Sequence, residues 1–126
     1  MVQFFSGDLG GAQTSFEEAL KIAQHNREKH TEGLSQILLG AILGTADVSQ
    51  SAKAEEYILR GTSLLEEQGL RPYCAIGYLL LGQHYVGTGR REEGLQYLRK
   101  ALGMYEEMGM DYYASMARVA LENLQG

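Results

Sequence analysis

Apolar side chains recur along this chain at three- and four-residue intervals, and that spacing predicts helices almost from one end to the other. Ala12, Phe16, Ala19, Leu20 and Ala23 predict a helix running to about residue 29, with Asp8 placed to cap it. Leu34, Ile37, Leu38, Leu39, Ile42 and Leu43 predict a second over 32–44, with Thr31 as its cap. The polar stretch 45–51 reads as the longest loop. Ala54, Tyr57, Ile58, Gly61, Leu64 and Leu65 then give a helix over about 52–68, closed by Gly69 as a left-handed cap. Pro72 suits a first helical turn, where its missing N–H costs nothing, so a helix over 73–86 should follow. The next spans 92–108, with Gly109 in the role of Gly69. Asp111 is placed to cap a last helix to about residue 124, which carries Met116, Ala117, Ala120, Leu121 and Leu124.

These helices are copies of one another. Leu39-Gly40 returns as Leu81-Gly82, 42 positions on. Ala12-x3-Phe16, Ala54-x3-Ile58 and Gly94-x3-Leu98 recur at intervals of 42 and 40, and the segment from Tyr57-Ile58 to Gly69 returns as Tyr97-Leu98 to Gly109 at an offset of 40. Within one copy, Tyr78, Leu81 and Tyr85 share a helix face, Gly82 beside them lets another helix come close, and Gly89 permits the chain to reverse. Such a pair cannot bury its apolar face alone, so it needs stacked neighbours.

At Tyr78-x2-Leu81-Gly82-x2-Tyr85 and the following Gly94-x3-Leu98 the chain resembles the tetratricopeptide repeat family, in a long-period variant of about 40 residues. The resemblance implies an all-α fold, a right-handed α-α superhelix of antiparallel helix pairs. One domain would span 1–126, with a partial first repeat over 1–30, a second over 31–69, a third over 70–109 and a closing helix over 110–126. In that alignment Gly7 takes the turn position of Gly89 and residues 1–5 are the tail of a missing helix. A fragment of a longer protein is therefore expected, with a native start and a divergent capping repeat as the alternative. The run from Met108 to Ala114 is similar to repeat arrays attached to bacterial regulators.

In this family the first helix of each pair lines a concave groove. Carried onto this chain, the groove positions are Leu34, Ile37 and Ala41 (then Gly44 and Thr45), Ile76, Leu79, Gln83 and Val86 (then Gly87), and Met116 and Val119 (then Asn123). Three uses of this apolar stripe stay open: burial by tight curvature, a groove for a partner helix or peptide, and self-association. The resemblance implies a non-enzymatic protein–protein interaction module that docks a peptide, a helix or a neighbouring domain. The alternative is a homo-oligomerisation element of a multidomain signalling or transcription regulator. Domains that clamp a C-terminal carboxylate place Lys and Asn where this chain has Ile37, Ala41, Leu79 and Gln83, so that subtype is not expected.

Composition narrows the partners. A net charge of -5 and a pI near 5.2 argue against nucleic acid, because phosphate binding needs a basic surface. The chain has no run of 18 apolar residues, so no membrane span is expected. Its single cysteine, Cys74, excludes an internal disulfide and suits a cytoplasmic setting. Metal, cofactor and catalytic sites are not expected. His25 and His30 are five apart where a helical zinc pair needs three or four, and His84 is out of register with Cys74. The doublets Glu17-Glu18, Glu55-Glu56, Glu66-Glu67, Glu92-Glu93 and Glu106-Glu107 recur with the repeat and read as a solvated face. Tyr57, Tyr78, Tyr85 and Tyr97 are expected in the core, while Tyr73, Tyr112 and Tyr113 read as a cap or, alternatively, as the edge of a binding surface.

Overall fold

The structure, a computed structural model, describes residues 9–46 and 48–125. The expected cap Asp8, the turn at Gly7, the tail 1–5 and the side chains of Ala12 and Leu124 lie outside the described residues. Among the described residues there are six α-helices and no strand, an all-α repeat as the periodicity implies. They are α1 (Leu9–Asn26), α2 (Lys29–Ala46), α3 (Ser51–Glu67), α4 (Arg71–Gly87), α5 (Arg91–Glu107) and α6 (Asp111–Gln125), with a single 3-10 turn, Val48–Gln50, before α3. The chain forms two compact units, Met1–Gly69 and Leu70–Gly126.

Tight left-handed turns set the helix boundaries. The N–H of Arg90 donates to the Tyr85 carbonyl at 2.8 Å and that of Gly89 to Val86 at 3.2 Å, with Gly89 at φ +86. The same reciprocal pair joins Met110 to Tyr105 and Gly109 to Glu106, at 2.9 and 3.1 Å. It satisfies carbonyls that the helix end would otherwise orphan. Gly69 and Gly109 both sit at φ +69, in the role the sequence gives them. The fourth turn of this kind is at Arg27, φ +59, where Arg27 donates to Gln24 and Glu28 to Ala23. A non-glycine residue is thus held in the left-handed region.

That turn ends α1 at Asn26, short of the expected residue 29, and brings the start of α2 earlier. Because the chain reverses at Arg27, α2 starts at Lys29 and Thr31 lies inside the helix instead of capping it. The carbonyl of Glu28 already accepts the N–H of Glu32 at 2.9 Å. The last helix likewise includes Asp111, and the carbonyl of Met110 accepts the N–H of Ala114. The polar stretch 45–51 is mostly helical: α2 runs on to Ala46, with the Thr45 hydroxyl donating to the Ala41 carbonyl at 2.9 Å, and the 3-10 turn leads into α3. A polar sequence gave no sign of helix there, but the hydroxyl closes back on its own turn.

In the first unit Leu20, Leu39, Leu43 and Ala54 form a buried cluster, with Phe16 and Tyr57 packed against it. Glycines bring α2 and α3 into backbone contact. A Cβ built on Gly40 would stand 2.7 Å from the Ala54 carbonyl oxygen, and one on Gly61 would run into the Gly33 carbonyl oxygen. In the second unit Gly82 and Gly94 do the same for α4 and α5. A Cβ on Gly94 would lie 2.8 Å from the Gly82 oxygen. Tyr97 stacks on Tyr78 at 6.0 Å and leans on Tyr85 at 5.6 Å, while Lys100 and Arg90 sit over the Tyr78 and Tyr85 rings at 4.1 and 4.2 Å. Tyr105 stacks on Tyr113 at 5.4 Å, joining α5 to α6. Ion pairs Arg71–Glu107 and Arg118–Glu106 tie the same unit at its surface, where each is worth at most ~1 kcal/mol.

Candidate functional site

Burial divides the predicted stripe residue by residue. On α2, Ile37 is 0% exposed, because the Gly33–Gly61 contact brings α3 onto it. Its Cγ1 is 2.7 Å from where a Gly61 side chain would begin. Leu34 and Ala41 are half-buried. On α4, Leu79 is 7% exposed, Ile76 and Val86 are half-buried, and Gln83 is exposed. Val86 packs toward α5, its Cγ2 at 2.5 Å from the place of a Gly94 Cβ. Ile37 and Leu79 are therefore covered, each within its own unit, and do not present themselves to solvent.

On α6 the picture is different. Met116 is 43% and Val119 51% exposed, and Tyr112, one turn before Met116, is 73% exposed. Tyr112, Met116 and Val119 stand at i, i+4 and i+7, so they form one apolar stripe along the helix, continued by the exposed Asn123. The opposite face of α6 carries Ala114, Ala117 and Leu121, all buried. The helix is amphipathic in the ordinary sense on that inner face and apolar again on the outer one. Tyr113 is exposed at its edge and stacks on Tyr105.

Other candidate chemistry separates in space. His25 and His30 are exposed, Cys74 is buried, and among the described residues no three of His, Cys, Asp or Glu gather as a metal set. The glutamate doublets are exposed except for the half-buried Glu55, and several of their members pair with arginines. Arg90 donates two hydrogen bonds to Glu93, at 2.8 and 2.6 Å, and holds its carboxyl below the usual range. Burial, with Tyr113 beside it, pushes the Tyr105 phenol up to about 12, and its hydroxyl has no partner. Of the four tyrosines expected in the core, Tyr78 and Tyr85 are buried and Tyr57 and Tyr97 half-buried. No helix among the described residues is long and apolar enough to cross a membrane.

Sequence spacing does not reveal one feature, a cleft in the first unit lined by Gln24, Glu32, Gln36, Leu59, Ser63 and Glu67. Its side chains come from three helices and share no local period.

Residues 75–108, which hold most of α4 and all of α5, match the family model of the tetratricopeptide repeat. No curated protein matches the chain.

Proposed function

We propose that this chain, which carries a tetratricopeptide-type helical repeat, is a protein-interaction scaffold that docks an apolar peptide or helix on the outer stripe of α6. Repeats of this type generally serve protein–protein interaction and are typically non-catalytic. The observation that carries the reading is the run of Tyr112, Met116 and Val119, three large apolar side chains left in water on one helix face. At the corresponding register on α4, 40 positions earlier, Ile76 is half-buried and Leu79 is buried, so the exposed apolar stripe belongs to α6.

The repeat register supports a closing role for α6 in this reading. Gly40 and Gly82, 42 positions apart, are the points where α2 and α4 receive their partner helices. The residue 40 positions beyond Gly82 is Glu122, too large and too polar for such a contact. In this reading the outer stripe of α6 receives a foreign segment. A second copy of the chain is less suited to it: three side chains fall well short of the ~800 Å2 per partner that a stable dimer buries.

The test is selection from a displayed library of random peptides against the immobilised full chain. Peptides so obtained should bind Met116→Glu and Val119→Glu at least ~10-fold more weakly, since each change sets a charge against an apolar contact. Both positions are open to solvent, so the helical circular dichroism should stay unchanged. Selected peptides that bind both variants as tightly as the parent would refute the α6 site.

A further inference from the structure

We propose that the cleft between α1, α2 and α3 is a second binding site, one that takes a lysine side chain of a protein partner. It is independent of the α6 stripe and lies wholly in the first unit. Its volume is about 530 Å3, within the range of ligand clefts. Gln24 comes from α1, Glu32 and Gln36 from α2, and Leu59, Ser63, Leu64 and Glu67 from α3.

Gln36 is the informative residue. It is 7% exposed, and its Oε1 is buried with no hydrogen-bond partner. Its Nε2 donates to Glu32 Oε2 at 3.4 Å, which orients the amide and leaves the carbonyl as the unmet group. A buried acceptor without a donor is costly, and it persists in few places in a folded chain. A hydrogen-bond donor entering the cleft would remove that cost once the amide turns its buried carbonyl toward the cleft.

Charge specifies the donor. Glu32 and Glu67 both line the cleft, and Arg60, the one cation among the lining residues, is paired with Glu56. Lys29 reaches Glu32 only at 3.7 Å and from an exposed position, so it is a displaceable counterion. Leu59, 38% exposed, and Leu64 give an apolar wall. An ammonium group has three donors and no acceptor, and an alkyl stem that packs on apolar surface. It matches two carboxylates, one unmet carbonyl and two leucines. A carboxylate-bearing ligand would be repelled, and a purely apolar one would leave the Gln36 carbonyl unmet.

The experiment uses amide chemical shifts of the full chain, titrated with Nα-acetyl-lysine methylamide and, separately, with its norleucine counterpart. The lysine probe should give saturable shifts confined to the residues around Gln36, Ser63 and Glu67, and the norleucine probe none. Glu32→Gln and Glu67→Gln should each weaken the lysine probe ~5–10-fold, the range for losing one charged partner. Gln36→Met preserves shape and removes the unmet carbonyl. It should raise the melting temperature of the free protein and abolish the saturable shifts. That opposite pair of effects separates a ligand role from a structural one. Shifts that do not saturate, that spread over the glutamate doublets, or that survive in Gln36→Met would overturn the proposal. So would a lower melting temperature for Gln36→Met.

Discussion

Replacing Gly61 by alanine should destabilise the protein, although helix propensity taken alone says the reverse. A glycine inside an exposed helix costs about 1 kcal/mol against alanine, so Gly61→Ala would gain that amount if nothing stood in the way. Here a Cβ would collide with the Gly33 carbonyl oxygen, stand 2.7 Å from Ile37 Cγ1 and 3.0 Å from the Ile37 nitrogen. Two of the three atoms are backbone and cannot rotate aside, so α2 and α3 must part. Overpacking of this kind costs about 1–3 kcal/mol. The second unit indicates the size of the relaxation: Ala75 and Ala101 hold the same register as Gly33 and Gly61, and both are fully buried. A cost of about 2 kcal/mol, less the propensity gain, leaves a net loss of about 1 kcal/mol.

Gly103 is the internal control. It lies within α5 with nothing inside 4 Å of its Cβ position, so Gly103→Ala should keep the full gain of about 1 kcal/mol. In a chain of this length 1 kcal/mol moves the midpoint by about 3–5 °C, so the two variants should differ by about 6–10 °C. Thermal unfolding followed by far-ultraviolet circular dichroism, with urea titrations alongside, reads this directly. A Gly61→Ala protein at or above the parent midpoint would refute the backbone contact between α2 and α3.

Three further outcomes follow from the same geometry. Arg27→Gly should stabilise by about 0.5–1 kcal/mol, because the left-handed conformation costs a side chain and not a glycine, and Gly109→Ala should lose about 1 kcal/mol; both are read from urea midpoints. Tyr105 holds its proton more tightly folded than unfolded, so its contribution to stability is complete below pH 10 and is lost as pH rises through about 12. Tyr105→Phe, which also removes a hydroxyl with no partner, should therefore keep its circular dichroism to higher pH than the parent. Ile37→Glu should unfold the first unit, since an unpaired charge cannot be held at a fully covered position, whereas Val119→Glu should leave the melting curve unchanged.

Where a single residue type dictates local geometry, the sequence was readable. Gly69 and Gly109 terminate helices at positive φ because only glycine takes that conformation freely, and Pro72 marks the first turn of α4 because its ring fits nowhere later. Arg27 makes the same turn with no such signature, so neither the start of α2 nor the place of Thr31 within it is legible in the sequence. The stripe from Leu34 to Val119 is what the family resemblance implies, and a resemblance does not measure how near the neighbouring helix lies. Gly33 and Gly61 draw α3 onto Ile37, an effect of two small residues 28 positions apart. The Gln36 cleft is illegible in the sequence for a related reason: Gln24, Glu32 and Glu67 are separate polar positions until three helices place them along one cleft.

The mass of the full chain in solution, followed by light scattering across a dilution series, bears most directly on the α6 stripe as a site for a foreign segment. The stripe is too small to hold two copies together, so the account predicts a monomer at every concentration, for the parent and for Val119→Glu alike. A dimer that persists on dilution and that Val119→Glu dissolves would contradict it, and would assign the stripe to self-association.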